Sequence, residues 1–340
     1  MKTCRKALIL PILLFISLTA FSQTNNDPKT LVDDGVALFD KGDYNGAMEK
    51  YKAALAINPN DYRADFELAY TLYTTGKGQD AIPYLQLILK SGESKYETYE
   101  LLGSIYDDSN QSDKAVEAYK AGIKEKPDFE RLHFNLGITY LRLKRYPEAE
   151  TEGIEALKLN PTHASAHRLY ALAAQDQGKR AIALLAWCNF LLLEPQTKRS
   201  TEAFSNVEYI INRGIKKNNE KSISISISSS DTDAYNLTMP MAVMASTLDK
   251  KDLKPVDSLN LQLTTVMQIL GEQTASKGDF FSTYYARYFA KLAKSDNMPA
   301  FTHYITLSAW KDEDIAWFNS HNKELKDMQQ WLKDNVNRGY

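Results

Sequence analysis

The sequence is poor in the residues and motifs that usually indicate a chemical activity. Its 340 residues include two cysteines and five histidines, and 41 basic residues nearly balance 43 acidic ones, for a formal net charge of −2. Two cysteines exclude a scaffold built on disulfides, and the balanced charge provides no broad basic surface for nucleic acid. The sequence has no glycine-rich phosphate loop, no Gly-x-Ser-x-Gly nucleophile elbow and no paired cysteine ligands. The remaining composition, 44% apolar and 25% charged, is that of an ordinary globular protein.

The first 22 residues have the organisation of a secretory signal peptide. Three basic residues precede an apolar stretch from Ala7 to Leu18, and Ala20 and Ser22 supply small residues at the −3 and −1 positions of a cleavage site. The apolar stretch is shorter than the roughly 20 residues that span a bilayer, which favours cleavage over a retained membrane anchor. We expect a signal peptide over residues 1–22, a linker over residues 23–27 and an exported, periplasmic protein, with further secretion left open. Its contact with the membrane would be limited to the cleaved segment.

A period of 34 residues runs through the next part of the chain. Steps of 34 from Gly35 and from Ala47 each reach four further small residues: Ala69, Gly103, Gly137 and Ala171 in the first column, and Ala81, Ala115, Ala149 and Ala183 in the second. A third column holds large side chains, with one glycine as an exception: Tyr51, Leu85, Tyr119, Gly153 and Trp187. Prolines also recur at multiples of the period: Pro59, Pro127, Pro161 and Pro195. Chance would rarely align so many columns.

This pattern resembles the tetratricopeptide repeat, a helix–turn–helix unit of 34 residues. The first repeat matches the motif in full, with Gly35, Ala47, Tyr51, Ala54 and Pro59. Other repeats depart from the motif at one or two positions: Ile88 and Glu93 in the second, Gly153 in the fourth and Phe190 in the fifth. The resemblance implies five repeats over residues 28–197, each with a first helix (helix A) and a second helix (helix B). Stacked repeats of this family form a right-handed superhelical solenoid whose concave surface is lined mainly by helix A.

In this family the concave surface is formed by the second, fifth, ninth, twelfth and thirteenth residues of helix A. Here those positions give an aromatic and apolar entrance, an acidic middle in the third repeat and a basic–apolar stretch in the last two. Such a surface suits a peptide with an apolar anchor beside a lysine or arginine. Alternatively, the acids face solvent and the aromatic side chains pack between repeats. The predicted peptide-binding residues are Phe39, Arg63, Phe66, Tyr70, Tyr73, Glu97, Glu100, Asp107, Asp108, Arg131, Phe134, Arg142 and Arg168.

The carboxylate-clamp type of repeat, which holds the C-terminal tails of cytosolic chaperones, is not indicated. That type needs lysine and asparagine where the first repeat has Val32 and Val36, and asparagine where the second has Glu67. Frames that start at the second or third repeat place Phe66 or Glu100 at the lysine position, so no frame restores the clamp. Its absence agrees with export.

The second half of the chain follows a different pattern. The columns stop at Thr201, and residues 198–216 are predicted to cap the solenoid as a helix. Residues 217–340 are predicted to form a mostly helical domain, which makes the fold mainly all-α. Alternating serine and isoleucine from Ser222 to Ser228 predict one short strand-like segment. The helix that carries Phe281, Tyr285 and Tyr288 is apolar over so much of its circumference that burial is favoured over stacking on sugars.

The sequence favours a non-catalytic scaffold of the bacterial cell envelope that holds a protein or peptide partner. It predicts no cofactor, no metal and no nucleic-acid partner. The one histidine pair at helical spacing, His163 and His167, lacks the adjacent glutamate that a zinc protease helix needs. The main alternative is a periplasmic glycan-binding module that uses aromatic residues of the C-terminal half. An enzyme in that half is a third class, and it would require a polar cleft with perturbed carboxylates.

Cleavage after Ser22 can be tested in a bacterial host. We expect the full chain to yield a mature protein that begins at Gln23, because signal peptidase requires small side chains at −3 and −1. Ala20→Leu or Ser22→Leu should leave the precursor uncleaved, whereas the control Phe21→Leu, at the tolerant −2 position, should be processed. N-terminal sequencing of the periplasmic fraction measures the outcome. A chain that keeps its first residues and stays with the membrane would contradict the prediction and favour an anchor.

Overall fold

The computed structural model describes residues 27–93, 95–219, 222–226, 234–247, 250 and 252–335. These residues form two compact units, residues 27–93 and residues 95–335. The predicted signal peptide, nearly all of the predicted linker and the end of the Ser222–Ser228 segment lie outside the described residues.

The first unit consists of two helical hairpins, each made of a helix A and a helix B: α1 (Pro28–Asp40), α2 (Tyr44–Ile57), α3 (Tyr62–Thr74) and α4 (Gly78–Ser91). Three of these helices begin after an aspartate whose side chain accepts a hydrogen bond from the amide three residues on: Asp27, Asp43 and Asp61. The turn inside each hairpin passes through the left-handed region that favours glycine, because Gly42 and Gly76 have φ angles of 80° and 78°.

The second unit begins with three more hairpins of the same kind: α5 (Tyr96–Asp108), α6 (Ser112–Glu125), α7 (Glu130–Arg142), α8 (Tyr146–Leu159), α9 (Ala164–Asp176) and α10 (Arg180–Leu193). Across both units, helix A begins at residues 28, 62, 96, 130 and 164, which reproduces the period read from the sequence. The predicted all-α repeat fold is confirmed.

The small residues of the first column allow helices A and B to touch. A Cβ atom placed on Gly35 would lie 2.5 Å from the ring of Tyr51, and one placed on Gly103 would lie 2.5 Å from the ring of Tyr119. Both rings are buried and cannot move aside.

Gly153, the one glycine in the column of large residues, is small because of a contact with the next repeat. Its nearest neighbours, 3.6 Å from an added Cβ, belong to Leu169 and Tyr170 of the next helix A, so a side chain longer than alanine would meet them.

The remainder of the second unit is mostly helical, as predicted. Its elements in chain order are α11 (Lys198–Asn212), β1 (Ile215–Asn219), β2 (Ser222–Ile225), α12 (Ala234–Thr247), α13 (Pro255–Thr274), one π-helical turn (Phe281–Ala286), α14 (Arg287–Ala293), α15 (Met298–Thr306), α16 (Lys311–Ser320) and α17 (Asn322–Asp334). Within the described residues, no helix is at once long and apolar enough to span a bilayer.

The predicted strand has a partner on its N-terminal side. β2 pairs antiparallel with β1, with Ile215 opposite Ile225. The sequence of β1, Ile-Lys-Lys-Asn-Asn, lacks the alternation that identifies β2, so periodicity does not reveal it. The capping helix therefore ends at Asn212, short of the predicted residue 216. The chain turns at Gly214, which has a φ angle of 83° and accepts a 2.7 Å hydrogen bond from the amide of Ser226.

Helix B of the fifth repeat joins the repeats to the C-terminal helices. Every residue of α10 from Ala183 to Leu191 is buried, and α10 contacts α12, α15 and the π-helical turn. An amphipathic helix would bury one face, so a helix buried on all sides belongs to the centre of a larger core. Cys188 lies in this core, and burial raises the pKa of its thiol, as expected for an inert buried cysteine.

Two histidines hold equivalent places in the fourth and fifth repeats. Nε2 of His133 lies 2.9 Å from the carbonyl oxygen of Pro127, and Nε2 of His167 lies 3.0 Å from that of Pro161. Each histidine thus donates to the carbonyl that ends the preceding repeat. In the fourth repeat, Nδ1 of His133 lies 2.7 Å from a carboxylate oxygen of Glu152.

In the fifth repeat, a tyrosine from the C-terminal part of the chain replaces that glutamate as the partner of the histidine. The position equivalent to Glu152 is Ala186, and the hydroxyl of Tyr285 lies 2.6 Å from Nδ1 of His167. The adjacent Tyr284 donates a 3.0 Å hydrogen bond to the carbonyl oxygen of Pro161. Both tyrosines belong to the π-helical turn, whose wider winding lets two consecutive rings point into the core.

The glycine contacts generate a stability prediction. Gly103→Ala is expected to destabilise the protein by about 1–3 kcal/mol, because a methyl group would overpack against the Tyr119 ring. Gly153→Ala is the matched control, since its methyl group has room and alanine in a helix interior is favoured over glycine by up to about 1 kcal/mol. Urea denaturation of both variants, followed by circular dichroism, measures the two shifts in midpoint. Equal midpoints would contradict the close contact.

Candidate functional site

Aromatic side chains from helix A of both repeats gather in the first unit. The Tyr70 ring lies 5.5 Å from that of Phe39 and 6.5 Å from that of Phe66, nearly parallel to the latter. Phe39, Phe66 and Tyr73 are half-buried, whereas Tyr70 is 41% exposed. The rings therefore pack between repeats, as the alternative interpretation expected, and still present one large aromatic face to solvent.

The predicted arginine beside this aromatic cluster, Arg63, is already paired. Nη1 of Arg63 lies 2.7 Å from a carboxylate oxygen of Asp33, and both side chains are about half exposed. Such an exposed pair contributes little to stability. Burial raises the pKa of Glu67, and the nearby Arg63 guanidinium partly offsets this effect. Helix A of this unit thus offers a ligand mainly its rings.

An apolar patch lies on helix A of the fourth and fifth repeats, in the second unit. It consists of Phe134, Ile138 and Leu141 of α7 together with Leu172 of α9, and all four side chains are half-buried. The three residues of α7 follow one another at helical spacing, so they share one face of that helix. Half-buried apolar side chains keep part of their surface in water, and a partner that covers them gains hydrophobic free energy.

On the third-repeat side, the apolar patch is bordered by two ion pairs. Nη2 of Arg131 lies 2.6 Å from a carboxylate oxygen of Glu100. Arg142 binds Asp107 with both terminal nitrogens, at 2.7 and 2.8 Å. The two carboxylate side chains are 9% exposed, whereas the side chains of Arg131 and Arg142 are 65% and 45% exposed. These acids therefore do not face solvent; they link helix A of one repeat to helix A of the next.

Negative charge is in excess around Arg131. Burial raises the pKa of Glu100, Arg131 lowers it, and the Glu97 and Glu130 carboxylates raise it further. A carboxylate oxygen of Glu130 lies 2.5 Å from Nδ1 of His163. Oε2 of Glu97 is shielded from solvent and hydrogen-bonds no described residue. Three carboxylates near one guanidinium make this border suited to a further cation.

The opposite border of the apolar patch is formed by α11. Nη2 of Arg168 lies 2.9 and 3.0 Å from the two carboxylate oxygens of Glu202. Gln175 donates a 2.9 Å hydrogen bond to the side chain of Asn206. The Tyr209 side chain, one turn further along α11, is 56% exposed.

The α11 residues were not predicted from the sequence, although the repeat period could have identified them. Arg168 and Glu202 are 34 residues apart, as are Ser165 and Arg199, which also share a hydrogen bond. Contacts between equivalent positions show that α11 continues the series of helix A beyond the fifth repeat. A further step of 34 from Ala171 reaches another small residue, Ser205. The column of small residues that starts at Gly35 therefore continues into α11, although the other columns end in the fifth repeat.

The predicted residues are assembled within their own units. Phe39, Phe66 and Tyr70 come together in the first unit. In the second unit, Glu100, Asp107, Arg131 and Arg142 form pairs, Arg168 pairs with α11, and Glu97, Asp108 and Phe134 lie on the same helix faces as these pairs. A single groove along all five repeats stays a prediction.

A metal site is not formed by the described side chains, among which no group of three or more His, Cys, Asp or Glu could hold an ion. The histidine pair considered in the sequence has other partners. His163 contacts Glu130, and His167 contacts Tyr285.

Family models identify part of the repeat region independently of the helix pattern. Residues 35–76 and 103–144 match a model described as TPR repeat, and residues 130–163 match one described as tetratricopeptide repeat. The chain is a tetratricopeptide-repeat protein. The matched segments include the glycines and aromatic residues of the helix A–helix B contacts in the first and third repeats.

Several curated proteins are similar to part of this tetratricopeptide-repeat protein. The human protein O-mannosyl-transferase TMTC1 is 32% identical over 183 residues, which are 53% of this chain and 21% of that protein. The peroxisomal targeting signal receptor of Candida glabrata is 27% identical over 104 residues, which are 31% of this chain and 18% of that protein. The chain spans between 12% and 28% of the length of the curated relatives it matches.

Solved structures with similar folds include a MamA protein and YrrB. The MamA structure is 24% identical and covers 49% of this chain and 92% of its own, with a TM-score of 0.46. YrrB, described as a TPR protein with an unusual peptide-binding site, is 15% identical and covers 54% of this chain and 94% of its own, with a TM-score of 0.47.

The Asp107–Arg142 pair generates a prediction for the border of the apolar patch. Arg142→Gln is expected to destabilise the second unit by about 1–3 kcal/mol, because it leaves the buried Asp107 carboxylate without its bidentate partner. Arg145→Gln is the matched control, since Arg145 pairs with Glu148 in an exposed i,i+3 contact and should have little effect. Thermal unfolding monitored by circular dichroism compares the two variants. A smaller loss for Arg142→Gln than for Arg145→Gln would contradict the structural role of the pair.

Proposed function

We propose that this tetratricopeptide-repeat protein is a non-catalytic scaffold that holds a protein or peptide partner on its helix-A surfaces. The observation that carries the proposal is the half-buried apolar patch of Phe134, Ile138, Leu141 and Leu172, bordered by ion pairs whose arginines stay exposed. An apolar centre with a charged rim is the usual composition of a protein-binding surface.

The C-terminal helices support this proposal by where they contact the fifth repeat. They meet it through helix B, α10, and through the carbonyls of Pro161 and Gly178, which accept hydrogen bonds from Tyr284 and Asn236. They also contact the buried face of helix A, where His167 and Tyr170 meet Tyr285. With these helices in place, the Arg131 side chain is still 65% exposed. The C-terminal helices therefore leave the third-repeat border of the apolar patch accessible to a partner.

The charges define the kind of segment that would fit. Glu97 and Glu130 add negative charge near the Glu100 carboxylate that binds Arg131, so a lysine or arginine of the partner would be stabilised at that border. The expected ligand carries an apolar anchor next to a basic residue.

The comparisons favour interaction over catalysis for the repeats. A curated relative is named a targeting signal receptor, and its similarity lies in a segment of 104 residues. Another is named a transferase, but the alignment spans 21% of that protein, so its activity is not carried over to this chain. Any catalytic function of the C-terminal half stays a hypothesis without a supporting site.

The proposal places the protein in the bacterial cell envelope. Its support is the signal-like organisation of residues 1–22, which lie outside the described residues. The glycan-binding alternative has less support, because every described aromatic side chain between residues 234 and 335 is buried or half-buried. Sugar-stacking platforms need exposed rings.

Peptide selection tests the proposed function directly. The immobilised full chain would select binders from a displayed random-peptide library, and fluorescence polarisation would measure the affinity of the enriched peptides for purified variants. We expect enriched sequences with a large apolar residue beside lysine or arginine. Tyr209→Ala or Tyr70→Ala should weaken binding by about tenfold, because each removes an exposed ring at a helix-A surface.

Two exposed leucines outside the helix-A surfaces serve as matched controls. Leu159→Ala and Leu87→Ala remove apolar side chains that are 39% and 51% exposed on helices B. They should leave peptide affinity unchanged. Binding lost with the leucine variants but kept with the tyrosine variants would move the site away from helix A. A library that yields no binder would refute the peptide-holding function.

A further inference from the structure

Both ring nitrogens of His133, a buried histidine of the fourth repeat, face oxygen atoms. Nδ1 lies 2.7 Å from a carboxylate oxygen of Glu152, and Nε2 lies 2.9 Å from the carbonyl oxygen of Pro127. A carbonyl oxygen and an ionised carboxylate only accept hydrogen bonds, so the ring can donate to both only when both of its nitrogens carry a proton. The positively charged form of His133 is therefore the form that fits this place in the fold.

We propose that the His133–Glu152 pair is a pH-sensitive switch that holds α7 in place. The charged ring joins α7 to α8 through Glu152 and to the turn before α7 through Pro127. When the ring loses a proton, one of its nitrogens presents a lone pair to an oxygen atom, and a hydrogen bond becomes a repulsive contact. Deprotonation thus releases α7 from one of these two neighbours.

The fifth repeat has the same histidine position with a hydroxyl in place of the carboxylate. Nε2 of His167 lies 3.0 Å from the carbonyl oxygen of Pro161, and Nδ1 lies 2.6 Å from the hydroxyl of Tyr285. A hydroxyl can donate as well as accept, so a neutral ring satisfies both contacts. The comparison assigns the need for a charged ring to Glu152.

Two carboxylates of α8 act on the charge of His133. Burial by itself would lower the pKa of His133, because it disfavours the charged ring. Hydrogen bonds to Glu152 and to the Pro127 carbonyl, together with the negative charges of Glu152 and Glu155, outweigh this effect and raise the pKa above its ordinary value. The side chains of His133 and Glu152 are only 9% and 19% exposed, so dissolved salt screens their attraction weakly.

The other charged groups on the elements around His133 face partners of their own or solvent. The described ion pairs on and around α5, α7, α8 and α9 are Lys126 with Asp128, Arg131 with Glu100, Arg142 with Asp107, Glu130 with His163, Arg145 with Glu148, Glu150 with Lys179, Glu155 with Lys158 and Arg168 with Glu202. Every charged side chain of α6 is exposed, and Glu97 adds negative charge beside Glu100. Among the described residues, Glu152 is thus the charged group in contact with His133.

The switch acts on the helix that carries most of the apolar patch. Phe134 follows His133 directly, and its ring lies 4.6 Å from that of His163. Ile138 and Leu141 lie further along the same helix. Because His133 is on the buried side of α7, its release would change how firmly α7 presents these apolar side chains to a partner. Only this last step, from α7 to a ligand, rests on the proposed function.

The raised pKa fixes the direction of the pH dependence. A histidine whose pKa is raised in the folded protein contributes its full stability below the ordinary value of about 6.5, and this contribution is lost as the pH rises through the higher folded value. The second unit should therefore become less stable toward alkaline pH, because its unfolding releases up to about one proton from the His133–Glu152 pair.

Urea denaturation of the full chain between about pH 6 and about pH 9, followed by circular dichroism, tests the inference. We expect the midpoint of the wild type to fall as the pH rises. In Glu152→Gln the amide can donate to a neutral Nδ1, so the contact remains without the titrating proton, and the midpoint should fall less. The control, Glu155→Gln, removes the same charge one turn along α8 from a carboxylate that contacts Lys158, and its midpoint should follow that of the wild type. Equal pH dependence in the wild type and Glu152→Gln would overturn the switch.

Nitrogen-15 NMR of the histidine side chains observes the ring directly. The signal of His133 is the one lost in His133→Gln or, if that variant does not fold, the one that shifts most in Glu152→Gln. At about pH 6.5, where an ordinary histidine is half protonated, His133 should carry protons on both nitrogens in the wild type and on Nε2 alone in Glu152→Gln.

A neutral His133 in the wild type at that pH would contradict the proposal. Neither the denaturation nor the NMR measurement requires a ligand. A failed peptide selection would therefore refute the proposed function and leave both outcomes for His133 unaffected.

Discussion

The repeats depend on close contact between helix A and helix B at a small residue of helix A. In the first and third repeats this residue is a glycine whose bare α-carbon meets a buried tyrosine ring. Gly35 on Tyr51 and Gly103 on Tyr119 both leave no room for a methyl group. Burial raises the pKa of Tyr51 to about 12, which reflects how completely the ring is removed from water. This contact closes each hairpin but buries one of its faces, so every hairpin needs a neighbour, and stacked repeats are the result.

The stack ends where a different kind of partner replaces the next repeat. Ala186 stands where the fourth repeat has Glu152, and the hydroxyl of Tyr285 then reaches His167. A π-helical turn points Tyr284 into the same core, where it binds the Pro161 carbonyl. These contacts involve helix B, the connection before helix A and the buried face of helix A that carries His167. The C-terminal helices therefore complete the core, and the Arg131 side chain stays 65% exposed.

Most of the acids at the third-repeat border of the apolar patch are not available to a ligand, although the sequence suggested an acidic binding surface there. Glu100 and Asp107 are satisfied by Arg131 and Arg142, so most of the acidic middle holds consecutive repeats together. A partner is instead offered the apolar patch, the excess negative charge around Arg131 and the exposed ring of Tyr209.

The sequence by itself determined the repeat fold, because the small residues at Gly35 and Gly103 recur at a fixed period that any helix–turn–helix stack must obey. It also predicted the strand at Ser222, whose alternation is local, and the burial of Cys188. Tertiary structure alone decided which charges pair, where β1 lies and how α11 extends the helix-A series. Those outcomes depend on contacts between residues far apart in the chain, and a local pattern does not record the distance between two side chains. The pairing of Arg168 with Glu202 is one such contact.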